Sequence, residues 1–172
     1  MAGIHQKAIL SEMNRTFFLS CLAFGALNFL GLAIGGMATG PGVASDWYAS
    51  LEKAPWTPPG WVFGAAWTLV MLGFTVFIAR WWAEVKPQGK SATVLRLFAL
   101  AWVLNVAWNP LFFGAHQAGW ALLEILTLFA VILALARQGW SQAGVARWGI
   151  LPYLIWLCVA TSLNGFVVWA NP

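Results

Sequence analysis

From residue 16 to residue 37 the chain carries no charged side chain. As a helix, rising about 1.5 Å per residue, such a run crosses the roughly 30 Å hydrocarbon core of a bilayer. Four more apolar runs follow, at 60–82, 92–113, 119–137 and 147–169, separated by proline, glycine and polar clusters. The bilayer core offers no water to satisfy backbone N–H and C=O groups, so runs of this length must be helices. The expected fold is an all-α membrane protein, a bundle of five transmembrane helices. One domain would cover 16–172 behind a short N-terminal tail, 1–15, with a long aromatic loop at 38–59 between the first two helices. The composition fits: 8% of residues are charged and mean hydropathy is +0.76, where soluble domains carry about 25% charged residues. The first run is too long for a signal-peptide core and is kept as a span.

Charge placement gives the topology. Lys7 and Arg15 lie in the tail, Arg80, Lys86, Lys90 and Arg96 flank the second connector, and Arg137 and Arg147 flank the fourth. Of the nine Lys and Arg residues only Lys53 falls at the other end. By the positive-inside rule the N-terminus faces the cytoplasm of a bacterial cell membrane. The net charge of +4 reflects this topology and not nucleic acid, because basic residues do not interleave with aromatics. Apart from 38–59 the connectors are short, so function must reside in the bundle interior and beneath that loop.

The loop and its exit, WYASLEKAPWTPPGWVFGAAW from Trp47 to Trp67, concentrate rigid aromatic side chains and prolines. They suggest a lid over a pocket for a flat ligand. Gly40-Pro41-Gly42 is expected to break the first helix, Asp46 to cap a short helix, and Pro59 to enter the first turn of the next. Gly31 and Gly35 form a small-xxx-small pair, suited to packing within the chain or to a dimer contact.

Polar residues inside spans are costly and face an interior. Trp102, Asn105 and Trp108 share one face of the third span, and Tyr153, Trp156, Ala160 and Asn164 one face of the fifth. The asparagines serve either as hydrogen-bonding glue between helices or as the polar lining of an indole and amide pocket. Glu124 is expected to point inward together with Trp120 and Thr127, as a structural group or a proton relay. Among the thirteen tryptophans, Trp61, Trp81, Trp82, Trp140, Trp148 and Trp169 read as an interfacial belt. Trp47, Trp56, Trp67, Trp102, Trp108, Trp120 and Trp156 read as packing or as stacking surfaces for a planar ligand. No Walker loop, GxGxxG, HExxH, CxxC, histidine cluster or Ser-His-acid set is present, so no cofactor or metal is expected.

Several motifs in order resemble the tryptophan-rich sensory protein family, also known as TspO/MBR, translocator protein or peripheral-type benzodiazepine receptor. They are WYASLEKAPWTPPGWVF with Trp67, LNVAWNPLFFG (104–114), HQAGWALLE (116–124), PYLIW (152–156) and ATSLN (160–164). The resemblance implies a five-helix, usually homodimeric protein whose cavity binds porphyrins such as protoporphyrin IX and synthetic benzodiazepine-type ligands. It implies a ligand-binding role for Tyr48, Trp67, Asn105, Trp108, Trp156 and Ala160, to which the loop adds Trp47. The implied function is a tetrapyrrole-binding membrane sensor. Alternatives are light- and oxygen-dependent breakdown of protoporphyrin IX, with Trp67 and Trp156 as oxidisable indoles, or transport of porphyrins or other small hydrophobic molecules.

The chain departs from the family pattern at three places. Pro55 is displaced by one residue in Lys53-Ala54-Pro55-Trp56, and Met71 stands where a tyrosine is common. Gly165 and Trp169, with no basic residue after Arg147, do not make a cholesterol-recognition stretch, so cholesterol binding through it is not expected.

Overall fold

The computed structural model describes the backbone from Ala2 to Pro172 and the side chains of Gln6 and residues 11–172. Lys7, part of the charge argument above, lies outside the described side chains. Six α-helices make up the fold: α1 (Ala2–Val43), α2 (Asp46–Ser50), α3 (Gly60–Val85), α4 (Ser91–Asn109), α5 (Ala118–Gly139) and α6 (Leu151–Ala170). All but α2 belong to segments long and apolar enough to cross a membrane, five in total among the described residues. The protein is an integral multi-pass membrane protein.

Neighbouring helices form a closed ring in the order α1, α3, α6, α5, α4 and back to α1. Sequence neighbours α3 and α4 touch only lightly, because α1 and α6 take the places beside α3. Inside the ring, Phe77, Ile78, Leu128, Ile132, Leu135, Tyr153 and Leu157 are almost fully buried. Lipid is as apolar as these side chains, so the ring is held by close packing and interhelical hydrogen bonds rather than by escape from water. Asn28 on α1 donates to Thr75 on α3 at 2.9 Å, Thr39 on α1 to Asn109 on α4 at 2.6 Å, and the Trp102 indole to the Leu27 carbonyl at 2.8 Å. Gly31 and Gly35 face Trp102 and Asn109. The small-residue pair therefore serves α1–α4 packing within the chain.

Several expected boundaries are corrected. The first helix is not 16–37 but Ala2–Val43, 42 residues, so the tail at 1–15 is helical from Ala2 and the loop is shorter than 38–59. Gly40-Pro41-Gly42 does not break it. Pro41 removes a single helical donor close to the end, and Gly42 lies against the Phe113 side chain with no room for a Cβ, so tertiary packing holds the last turn. Ser45, not Asp46, caps α2, its hydroxyl accepting from the Tyr48 N–H at 3.2 Å. Pro59 is the cap of α3 rather than a first-turn residue.

The third span ends as α-helix at Asn109 and continues to Gly114 as a wider π-turn, closed by the Ala115 N–H on the Pro110 carbonyl at 2.8 Å. Proline at 110 has no N–H to continue the α ladder. The last span begins as a 3₁₀ turn over Gly144–Ile150 before α6. There Gly149 and Gly73 approach backbone to backbone, leaving no room for a Cβ on either.

Candidate functional site

The loop after α1 is a pinned flap. Its Glu52 N–H donates to Asn171 Oδ1 at 2.9 Å, and Asn171 Nδ2 donates back to the Glu52 carbonyl at 3.1 Å. The Trp56 indole donates to Ser162 on α6 at 3.2 Å. Trp47 stacks on His116, centroids 4.2 Å apart and planes 10° from parallel, and meets Phe112 edge-on. His116 itself has φ of 55°, a left-handed conformation that turns the chain from the π-turn toward α5. Tyr48 packs on Phe113, and the Lys53 ammonium sits 4.5 Å from the Tyr48 ring centroid. Burial pushes the Tyr48 phenol up, so it remains a neutral hydrogen-bonding group at physiological pH.

Beneath the flap, between α3, α6 and the end of α4, lies a cavity of about 80 Å³, lined among others by Tyr48, Lys53, Phe63, Trp108, Phe113, Ala160 and Asn164. Trp108 forms one wall. Its ring stacks on Phe112 at 4.8 Å, and its N–H donates to Asn164 Oδ1 at 3.1 Å. Asn164 Nδ2 in turn donates to the Ala118 carbonyl at 2.9 Å, tying α4, α5 and α6 together at this level. Pockets for drug-sized ligands measure about 300–1,000 Å³, so this cavity is smaller than such a ligand needs.

A second layer lies deeper. Asn105 Nδ2 donates to the Tyr153 hydroxyl at 2.8 Å, beside a void of about 10 Å³, the scale of one water molecule. Trp67 and Trp156 meet edge to face at 6.3 Å, and Phe63 stands between Trp156 and the upper cavity, 5.4 Å from the Trp156 ring. Among the described residues the Trp156 N–H and both Glu124 carboxyl oxygens are buried without a partner.

The sequence-predicted residues therefore separate. Tyr48, Trp108 and Ala160 line the cavity, and Trp47 belongs to the flap's outer layer. Trp156 lies behind Phe63 with Trp67 against it, and Asn105 lines the separate small void beside Tyr153. The asparagines act as interhelical ties, and Asn164 also faces the cavity. Lys53, Phe63, Phe112 and Phe113 were missed as lining residues. Their signal, aromatic and basic residues inside the same motifs, was present but looked like ordinary packing.

Two further expectations change. Glu124 is buried while Trp120 is 64% exposed and Thr127 is also exposed. At about 100° per residue, the buried arc of α5 starts at Glu124, and Trp120 and Thr127 fall just outside it. Trp81, expected at the interface, is 4% exposed and packs in the core against Phe77. Among the described residues no group of three His, Cys, Asp or Glu side chains could hold a metal ion.

The sequence pattern of the TspO/MBR family matches residues 23–170. The chain belongs to the TspO/MBR family. It is 37% identical over 158 residues to the translocator protein of Bos taurus, covering 90% of each chain. It is 30% identical over 162 residues to the tryptophan-rich protein TspO of Chlorobaculum tepidum, covering 93% of this chain and all of the relative. With the tryptophan-rich sensory protein of Cereibacter sphaeroides it shares 34% identity over 122 residues, 69% of this chain and 73% of the relative. The family match begins inside α1 and ends at the last residue of α6, so it includes every element around the cavity.

Proposed function

We propose that this TspO/MBR protein is a membrane sensor that binds a tetrapyrrole such as protoporphyrin IX between α3, α4 and α6, beneath the pinned flap. The observation that carries this reading is the indole and amide wall formed by Trp108 and Asn164 under Tyr48 and Lys53. A flat aromatic ring system stacks on Trp108, and Lys53 offers a cation to a carboxylate at the ring's edge. Flap position then reports occupancy. The same cavity, once widened, would take synthetic benzodiazepine-type ligands. The protein sits in a bacterial cell membrane with its N-terminus cytoplasmic, the orientation that the basic residues at one end favour, and the family resemblance implies a homodimer.

Light- and oxygen-dependent breakdown of protoporphyrin IX is the second reading, supported by the Trp67–Trp156 pair behind Phe63. Transport has less support, since no internal repeat with paired broken helices is present in the sequence.

Saturable quenching of tryptophan fluorescence by protoporphyrin IX tests binding. Trp108→Ala is expected to weaken it at least tenfold. Equal affinity in the folded variant would place the ligand elsewhere.

A further inference from the structure

At the membrane end opposite the flap, the 3₁₀ turn before α6 holds Arg147 in a corner between two indoles. The guanidinium carbon lies 5.4 Å from the Trp140 ring centroid and 5.5 Å from that of Trp148. The two rings meet at 78°, their centroids 5.3 Å apart. Two nearly perpendicular indoles flank the guanidinium and hold it in place, with Arg147 only half-buried.

One donor of that guanidinium is left over. Among the described residues the Nε–H is buried with no acceptor and the ion pair is Arg80 with Glu84, so none of their carboxylates pairs with Arg147. The scaffold is rigid, because the turn is clamped to α3 through Gly149 and Gly73 and Ala143 is fully buried.

We infer that Arg147, cradled by Trp140 and Trp148, binds the phosphate of an anionic membrane lipid. Arginine's planar rim matches two phosphate oxygens at once. The site sits where α5 ends and α6 begins, beside Trp148, 53% exposed, and Val145, 86% exposed, side chains suited to the headgroup boundary. Deeper on the same two helices, Leu133 and Ile155 are exposed and would meet acyl chains. The exposed Arg137 in the last turn of α5 adds positive potential, as in basic sites between spans that take lipid headgroups.

The full chain in detergent, titrated with phosphatidylglycerol and with phosphatidylcholine and read by native mass spectrometry, tests this. Wild type is expected to hold one phosphatidylglycerol at least five times more tightly than phosphatidylcholine. Arg147→Gln should bring the two lipids within twofold, whereas Arg137→Gln should keep most of the preference. Trp148→Ala, at an exposed ring, is expected to cut the preference about threefold and serves if Arg147→Gln does not fold. Equal binding of the two lipids by wild type overturns the proposal without any variant. Displacement of phosphatidylglycerol by millimolar inorganic phosphate would identify a soluble-anion site and overturn the lipid assignment.

Discussion

If the flap is the gate to the cavity, its latch sets the rate of entry. Asn171 is the latch: it both accepts from and donates to the Glu52 backbone, and is itself braced on the Val167 carbonyl at 2.8 Å. Asn171→Ala removes both flap bonds while leaving α6 intact as far as Ala170. A net protein hydrogen bond contributes about 0.5–1.5 kcal/mol, and these two are exposed, so the lower half of that range applies. The pair then holds the flap by about 1–2 kcal/mol, and every 1.4 kcal/mol is tenfold in population. The open population, and with it the association rate of protoporphyrin IX, should rise roughly 5- to 30-fold. Stopped-flow quenching of tryptophan fluorescence measures that rate, with circular dichroism confirming the fold. An association rate within twofold of wild type would refute the gate and point to lateral entry between helices. Trp56→Phe, which breaks the bond to Ser162, should act in the same direction with a smaller effect.

The close backbone crossing makes Gly149→Ala costly: a Cβ there overlaps the Gly73 carbonyl, and overpacking of this kind costs about 1–3 kcal/mol. Gly165→Ala on α6 has open space around it and should be neutral or stabilise by up to about 1 kcal/mol, so thermal unfolding in detergent should order the two variants oppositely around wild type. Glu124→Gln should leave that unfolding midpoint unchanged or raise it, because the buried carboxyl has no partner to lose and a neutral amide of similar shape is cheaper to bury. A clear drop would reveal a partner for the acid. Asn28→Ala should cost about 0.6 kcal/mol, the mean for interhelical hydrogen bonds in membranes, read as a small fall in the same midpoint.

The site was legible to different depths at different residues. Trp108 and Ala160 sit at the cavity because they lie on helix faces that periodicity alone identifies. Asn105 and Trp156 carry the same kind of signal yet do not line the cavity, and neither does Trp67, which only the family resemblance pointed to; Phe63 stands in front of Trp156. Nothing in the spacing of residues 60–67 says which aromatic ring will stand in front. Trp81 and Trp120 show the related limit. Both are tryptophans near span ends, and one is core while the other faces lipid, because which arc of a helix turns inward depends on its neighbours. Apolar residues on both arcs, normal in a membrane, erase the contrast that would mark the buried side.

Length and apolarity by themselves dictated that the chain spans a bilayer as five helices, because a continuous apolar run of about 20 residues is twice a barrel strand's length and a helix satisfies its own hydrogen bonds inside lipid. Motif order carried family membership in the same local way. The ring order that sets α6 between α3 and α5, the passage of α1 through Pro41, the latch from Glu52 to Asn171, and the corner that holds Arg147 belong to the tertiary structure. Each joins residues far apart in the chain or rests on a close approach between helices, and a bilayer supplies no hydrophobic gradient from which such partners could be read.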